Sequence, residues 1–142
     1  MVGGDADLVD IGFATAAGEP VGALLHGHTY QLVHEICFRA DADNVSAVAY
    51  VKLKNGFVLG TLSAPEKNEA VAEGRVVAFS LIFNCILLPG TYMLDCQITG
   101  DCRGARKIMH TVIDLPVTVQ SSIGLPGIGA INFSADPLER PL

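Results

Sequence analysis

Residues 87–100, LLPGTYMLDCQITG, carry the local signals of a turn followed by a half-buried β-strand. Pro89 lacks the N–H that a strand ladder needs, and Gly90 can adopt positive φ, so the pair predicts a turn. Apolar and polar side chains then alternate, which is typical of a strand with one buried face. The side chains on that face are Tyr92, Leu94, Cys96 and Ile98.

The same period of two residues runs through most of the chain. It predicts strands at residues 8–14, 29–39, 46–54, 57–61, 75–83, 92–99 and 108–119. Asn55-Gly56 predicts a hairpin, and Pro116 places the last strand at a sheet edge or a bulge. The polar segment 63–74 is interpreted as a loop with one short helical turn at about residues 66–72.

Seven or so short strands without a convincing long helix predict an all-β fold. The expected architecture is a two-sheet antiparallel β-sandwich of immunoglobulin-like or jelly-roll-like build. By length, residues 1–142 form a single domain with its core at about 5–119. Residues 120–142 are rich in Gly and Pro and include a strand candidate at 129–133. We expect this extension to pack on a partner or to swap between subunits.

Composition excludes several classes of function. The net charge of −6 and the pI of about 5.0 argue against a nucleic-acid partner held by a basic surface. The longest apolar run, 76–89, is shorter than the roughly 18 residues of a membrane span, so a soluble chain is expected. The first ten residues lack the basic start and long apolar core of a secretory signal.

The four cysteines allow two interpretations. Cys37 and Cys96 have the wide spacing of the disulfide in an extracellular immunoglobulin domain, but the chain has no Trp to pack on the bridge. Alternation also places Cys37 with Gln31 and Glu35, and Cys96 with Leu94, so the two thiols are expected on different faces. We favour free thiols in a reducing compartment.

Three segments taken together resemble a known family. They are DADLVDIGFATAAGEP (5–20), the stretch from LLHGHTYQ to FVLGT (24–61) and EGRVVAFSLIFNCILLPGTYMLDCQI (73–98). The matching positions are Gly27, Asn55, Gly56, Glu73, Gly74, Leu87, Leu88, Gly90, Tyr92 and Leu94. In this order they resemble the C-terminal carbohydrate-binding domain of Wzt-type O-antigen ABC transporters, over about residues 5–119. The resemblance makes Tyr92 a structural residue that anchors its strand after the Pro-Gly turn.

The resemblance implies a non-catalytic module that recognises the modified non-reducing terminus of O-antigen polysaccharide for export. The implied partners are that chain terminus, a second copy in a homodimer, an upstream nucleotide-binding domain and a membrane-spanning transporter subunit. The implied location is cytoplasmic, at the inner face of the inner membrane. An ATPase portion is expected elsewhere, since the sequence has no GxxxxGK[ST] loop. The alternative is an immunoglobulin-like structural or adhesive domain that contacts proteins.

Candidate sugar-binding residues lie on the polar sides of two predicted strands. The third strand presents Tyr50, Lys52 and Lys54, and the sixth presents Met93, Asp95, Gln97 and Thr99. If these strands are neighbours, as in immunoglobulin-like topology, they make one continuous polar surface. Our candidates for carbohydrate binding on this surface are Tyr50, Lys52, Asp95 and Gln97. Ordinary solvated side chains are the alternative.

Arg103, Arg106 and Lys107 form a local basic cluster in an acidic chain. Because Arg pairs with carboxylate or phosphate through two hydrogen bonds, Arg103 and Arg106 are candidates for binding an anionic terminal group. Solubility alone also explains the cluster.

Metal binding and catalysis have little support in the sequence. His26 and His28 have ligand-like spacing, but no Asp, Glu or Cys close by completes a recognisable set. Cys96 or Cys102 with His110 and Asp101 lacks any recognised nucleophile motif. We therefore expect neither a cofactor nor enzymatic activity.

Overall fold

The fold is described from a computed structural model, which describes residues 5–64 and 70–121. These residues contain nine strands. They are β1 (Ala6–Thr15), β2 (Pro20–Val21), β3 (Leu24–Leu25), β4 (Thr29–Phe38), β5 (Asp43–Lys52), β6 (Val58–Ser63), β7 (Val76–Asn84), β8 (Gly90–Cys102) and β9 (Ala105–Gln120). Among the described residues there is no helix that could span a membrane.

The strands form two sheets that pack face to face as a β-sandwich. One sheet has the order β2-β1-β4-β7 and the other β3-β9-β8-β5-β6. Their inner faces meet in one core whose largest fully buried side chains include Phe38, Phe79, Leu32, Ile36, Leu94 and Ile98. The fold class predicted from the period of two residues is therefore confirmed.

The longer predicted strands are all present, and the buried face of β8 is the predicted one. Two short strands, β2 and β3, were not predicted, and β3 pairs with β9 in parallel, unlike the other named pairs. Residues 65–69 and the strand candidate 129–133 lie outside the described residues. Val71, which lies in the segment predicted to be a loop, forms an isolated antiparallel β-bridge with Ala42.

The third and sixth predicted strands, now β5 and β8, are direct neighbours. Their antiparallel register sets Tyr50 opposite Asp95 and Val48 opposite Gln97. On the other side of β8, the register with β9 shifts between Leu94 and Cys96, which leaves Asp95 beside a bulge in β9. Asp114 lies in this bulge with a φ of 58°. Pro116 lies two residues further on, where it pairs with Met93 next to the bulge that its presence predicted.

The Pro-Gly turn before β8 is closed by Tyr92. Its ring is buried, and its hydroxyl donates a hydrogen bond of 2.6 Å to the carbonyl of Leu88. Gly90 has a φ of 156°, and a Cβ there would lie within 4 Å of the Tyr92 ring. The ring therefore packs against the turn that it also bonds, which confirms the structural role expected of Tyr92.

Tyr92→Phe removes this hydrogen bond and keeps the ring. We expect the free energy of unfolding to fall by about 1 kcal/mol, because one intramolecular hydrogen bond contributes about that much. The melting temperature should drop by roughly 3–5 °C in thermal unfolding followed by circular dichroism. Tyr50→Phe, on the outward face of β5, is the matched control and should melt like the wild type. Equal melting of both variants would contradict the role given to Tyr92.

Two imidazoles meet in the core where β4 faces β9. His34 is 1% exposed, and its ring centroid lies 5.8 Å from that of His110. Among the described residues, neither His34 Nε2 nor His110 Nδ1 has a hydrogen-bond partner. Burial lowers the pKa of His34 to about 4, and the nearby His110 acts in the same direction. Burial also lowers the pKa of His110, against an opposing effect of Asp7. The folded chain therefore keeps both rings neutral.

Stability should consequently fall as the pH falls. Below the ordinary histidine pKa of about 6.5, residue 34 becomes protonated in the unfolded chain but stays neutral in the folded one. This difference between the two states persists down to the folded pKa of about 4. Chemical denaturation between about pH 7 and about pH 4 should show a loss of up to about 3 kcal/mol from His34. His34→Leu should remove most of that slope, and His28→Gln, an exposed histidine, should keep it. A wild-type chain equally stable across this range would refute the assignment.

Candidate functional site

The outward face of the five-stranded sheet carries five of the six predicted site residues, and four of them lie together on β5 and β8. Tyr50 and Lys52 on β5 lie beside Asp95 and Gln97 on β8, as the register of the two strands requires. All four side chains are partly exposed, whereas the residues that alternate with them between Ala49 and Val51 and between Leu94 and Ile98 are buried. The predicted continuous polar surface is therefore present. We call it the outward face, and it also includes Ser46, Val48, Met93 and Thr99.

Lys52 and Asp95 are bonded to each other and to a residue of the β9 bulge. Lys52 Nζ lies 2.9 Å from Asp95 Oδ2 and 2.8 Å from Asp114 Oδ1. The backbone N–H of Asp114 donates to Asp95 Oδ1 at 3.0 Å. Hydrogen bonds to Asp114 and Asp95 raise the pKa of Lys52. Burial acts to raise the pKa of Asp95, but the Asp114 N–H and Lys52 together lower it. Lys52 and Asp95 are thus both charged at neutral pH.

Arg106 forms the second polar cluster of the outward face, at the opposite end of β5. One terminal nitrogen donates to the Asn44 carbonyl and to Asp101 Oδ1, the latter at 3.3 Å. The other donates to Ser46 Oγ at 3.0 Å and to Thr99 Oγ1 at 3.2 Å. A hydrogen bond from Asn44, and then Arg106, lower the pKa of Asp101. The guanidinium therefore binds side chains of β5 and β8 and one backbone carbonyl of β5.

The other predicted cations do not join the outward face. Arg103 lies in the β8–β9 turn with a φ of 52° and lines a surface depression with Asp41 and Glu73. Lys107 forms an ion pair with Asp5. Lys54 falls in the β5–β6 hairpin instead of on the strand, because β5 ends at Lys52. The sequence cluster of three cations is thus divided between separate parts of the surface.

Sequence reasoning missed Asp114, Asn44 and Ser46. Asp114 and Asn44 have positive φ and sit at irregularities of the ladder, where the period of two residues is lost. Pro116, two residues after Asp114, is the sequence signal that pointed to a bulge there. Nothing in the sequence linked that bulge to Lys52.

An apolar cleft of about 200 Å³ opens between β6 and β7, the edge strands of the two sheets. Its apolar lining residues are Val51, Leu59, Leu62, Phe83, Cys85, Ile86 and Leu87. A sugar presents hydroxyl groups that need hydrogen-bond partners, and this lining offers few. The cleft is therefore a poor carbohydrate site, and the outward face is the better candidate.

The histidines and cysteines give no catalytic or metal-binding arrangement among the described residues. No group of three or more potential metal ligands lies together there. His26 Nδ1 instead bonds the Leu87 carbonyl at 2.8 Å. Cys96 is 1% exposed, and burial raises the pKa of its thiol to about 12, so it carries no thiolate at neutral pH.

Comparison with known proteins identifies relatives of this fold. A family model described as the Wzt C-terminal domain matches residues 3–130. The chain is also similar to the crystal structure of the C-terminal domain of Wzt, with a TM-score of 0.74 and 17% identity over 99% of this chain and 87% of that chain. A Niemann-Pick type C2 protein from Japanese carpenter ant has a TM-score of 0.56 and 12% identity, over 82% of this chain and 93% of that chain. No curated protein matches the sequence.

The state of the four cysteines separates a disulfide-linked domain from a free-thiol one. All four are free, and Cys37 lies on the outer side of β4 while Cys96 points into the core, as their alternation predicted. Titration with a thiol reagent should count four thiols in denaturant. In the native state Cys37 should react first, because Cys85, Cys96 and Cys102 are buried. Two thiols or none in denaturant would support the extracellular immunoglobulin alternative.

Proposed function

This chain belongs to the Wzt C-terminal domain family, and we propose that it recognises the non-reducing terminus of O-antigen polysaccharide for export by an ABC transporter. The family itself gives the chain a non-catalytic role in O-antigen transport. The observation that carries the finer proposal is the outward face of β5 and β8. There, Tyr50 and Gln97 lie between two fixed polar clusters.

This arrangement suits a sugar for chemical reasons. A pyranose ring offers weakly apolar C–H faces and a rim of hydroxyls, so its site needs a flat platform and several hydrogen-bonding groups. Tyr50 is the aromatic side chain on β5, and Gln97 supplies an amide one strand away. The polar clusters are preorganised by their own bonds, which lowers the entropy cost of ordering them around a ligand. Affinity for a solvated glycan should still be modest.

The proposal also covers the partners and the location of the domain. The chain acts as a homodimer, beside a nucleotide-binding domain and a membrane-spanning transporter subunit. Its location is cytoplasmic, at the inner face of the inner membrane. The residues after 119 are assigned to contact with such a partner. Support for these partners comes from the family, since the parent transporters carry two nucleotide-binding subunits.

A protein-contact function is the second candidate, and exposed apolar side chains favour it. Ile86 is 79% exposed, Leu88 71% and Phe57 65%, and Ile86 also lines the cleft between β6 and β7. A largely exposed apolar side chain such as Ile86 at an apolar cleft is typical of an interaction site. This surface lies at the β6–β7 edge and not on the outward face, so the two candidates can be tested separately.

Titration of the domain with O-polysaccharide tests the first candidate. The polymer is used with its native terminal group and with that group removed, and binding is followed by calorimetry and by ¹⁵N NMR. We expect binding to the capped polymer alone, with shifted amides on β5 and β8. Tyr50→Ala and Gln97→Ala should each weaken it by about tenfold or more, the cost of losing one buried contact.

Ile82→Ala is the matched control for these variants. Ile82 is 73% exposed on the outward side of the other sheet, so its truncation should leave both stability and binding unchanged. Absence of binding to either polymer would transfer support to the protein-contact function. Equal binding to both polymers would show glycan recognition that does not depend on the terminus.

A further inference from the structure

We infer that the outward face accepts a neutral, hydroxyl-bearing glycan terminus and disfavours one that carries a phosphate or carboxylate. The inference rests on the proposed function and names the class of ligand for it. It follows from the partners of each charged side chain on the face, and it decides against the anionic terminus that the sequence cluster of Arg103 and Arg106 suggested.

Lys52, the cation on β5 two residues from Tyr50, is already neutralised. Its ammonium lies 2.9 Å from the Asp95 carboxylate and 2.8 Å from that of Asp114. Its side chain is only 16% exposed. An anionic ligand would have to displace one of these carboxylates or share the ammonium with both of them. Either arrangement sets the ligand against a fixed negative charge.

Arg106, the other cation of the face, is also bonded to acceptors of the protein itself. Its two terminal nitrogens donate to the Asp101 carboxylate, the Asn44 carbonyl and the hydroxyls of Ser46 and Thr99. A phosphate needs two adjacent guanidinium N–H groups to form its bidentate pair. Here those groups already point at protein acceptors.

Arg103 does not supply the missing charge. It lies in the turn after β8, where it lines a depression together with Arg39, which is already paired with Asp7, and with Asp41 and Glu73. These carboxylates oppose a ligand anion there as well.

The charges on the face therefore sum to an excess of negative charge. Lys52 and Arg106 carry two positive charges, and Asp95, Asp114 and Asp101 carry three negative ones, which gives a balance of −1. A carboxylate has about four lone-pair positions, and among the bonds described here Asp114 uses one, at Oδ1. Its side chain is 61% exposed, so Oδ2 can accept from a hydroxyl pair of a sugar. The face thus offers acceptors to a donor-rich neutral ligand.

Asp114→Asn provides a sharp test because it changes charge with little change in shape. Asn tolerates the left-handed φ of 58° that residue 114 adopts, so the bulge is retained. The variant removes a negative charge and one acceptor oxygen from the face. Asp10→Asn is the matched control, since Asp10 is an exposed carboxylate on β1 of the opposite sheet.

The probes are neutral hexose and deoxyhexose oligosaccharides and the same oligosaccharides carrying a terminal phosphate or uronic acid. An array of both sets identifies the best neutral ligand, which is then titrated beside its phosphorylated form by ¹⁵N NMR at low and high NaCl. The neutral ligand should shift amides of β5, β8 and the β9 bulge. The phosphorylated form should bind about tenfold more weakly at low salt, with a smaller gap at high salt because the repulsion is screened.

The variants separate failure of this inference from failure of the proposed function. Asp114→Asn should lower the affinity for the neutral ligand by about fivefold. It should also reduce the difference in affinity between the neutral and the phosphorylated ligand, while Asp10→Asn should change neither quantity. Tighter binding of the phosphorylated ligand at the outward face would overturn the neutral assignment and leave glycan recognition standing. No amide shift on the outward face with any oligosaccharide, or with capped O-polysaccharide, would overturn the proposed function and this inference with it.

Discussion

The pairing of β5 with β8 is the constraint on which both the core and the outward face depend. Along these strands, buried residues such as Ala49 and Leu94 alternate with outward ones such as Tyr50 and Asp95. A shift of the register by one residue would exchange the two sets, exposing the apolar side and burying Lys52 and Asp95. The hydrophobic core therefore fixes the pairing, and the pairing in turn places Tyr50 opposite Asp95.

The β9 bulge fixes the positions of charged side chains on this otherwise regular surface. In an unbroken ladder each residue of β9 would oppose one residue of β8, and Asp114 would have an ordinary extended backbone. The shift of register beside Asp95 instead turns the Asp114 N–H toward the Asp95 carboxylate and brings its own carboxylate to Lys52. The bulge thus holds Lys52 and Asp95, on two different strands, in fixed positions. A regular ladder with solvated side chains would not hold them in this way.

The features that could be predicted from the sequence are those that follow the alternation of apolar and polar residues. Strand positions, the buried face of β8, the separation of Cys37 from Cys96 and the common face of Tyr50 and Gln97 all follow from alternation. The bond between Lys52 and Asp95 does not, because it depends on the register between distant segments. Two-residue strands such as β2 are too short to show a period. The contacts of Asp114 and Asn44 arise where the ladder departs from it.

Strand β5 also separates the two surfaces to which a function can be assigned. Val51 on its inner side lines the apolar cleft, while Tyr50 and Lys52 on its outer side belong to the outward face. Because neighbouring residues of a strand point to opposite faces, a ligand on one surface need not block contact at the other. Glycan recognition and protein contact are thus compatible in one domain. A substitution on one side of this strand should therefore affect only one of them, which is why Tyr50 and the cleft residues can be tested independently.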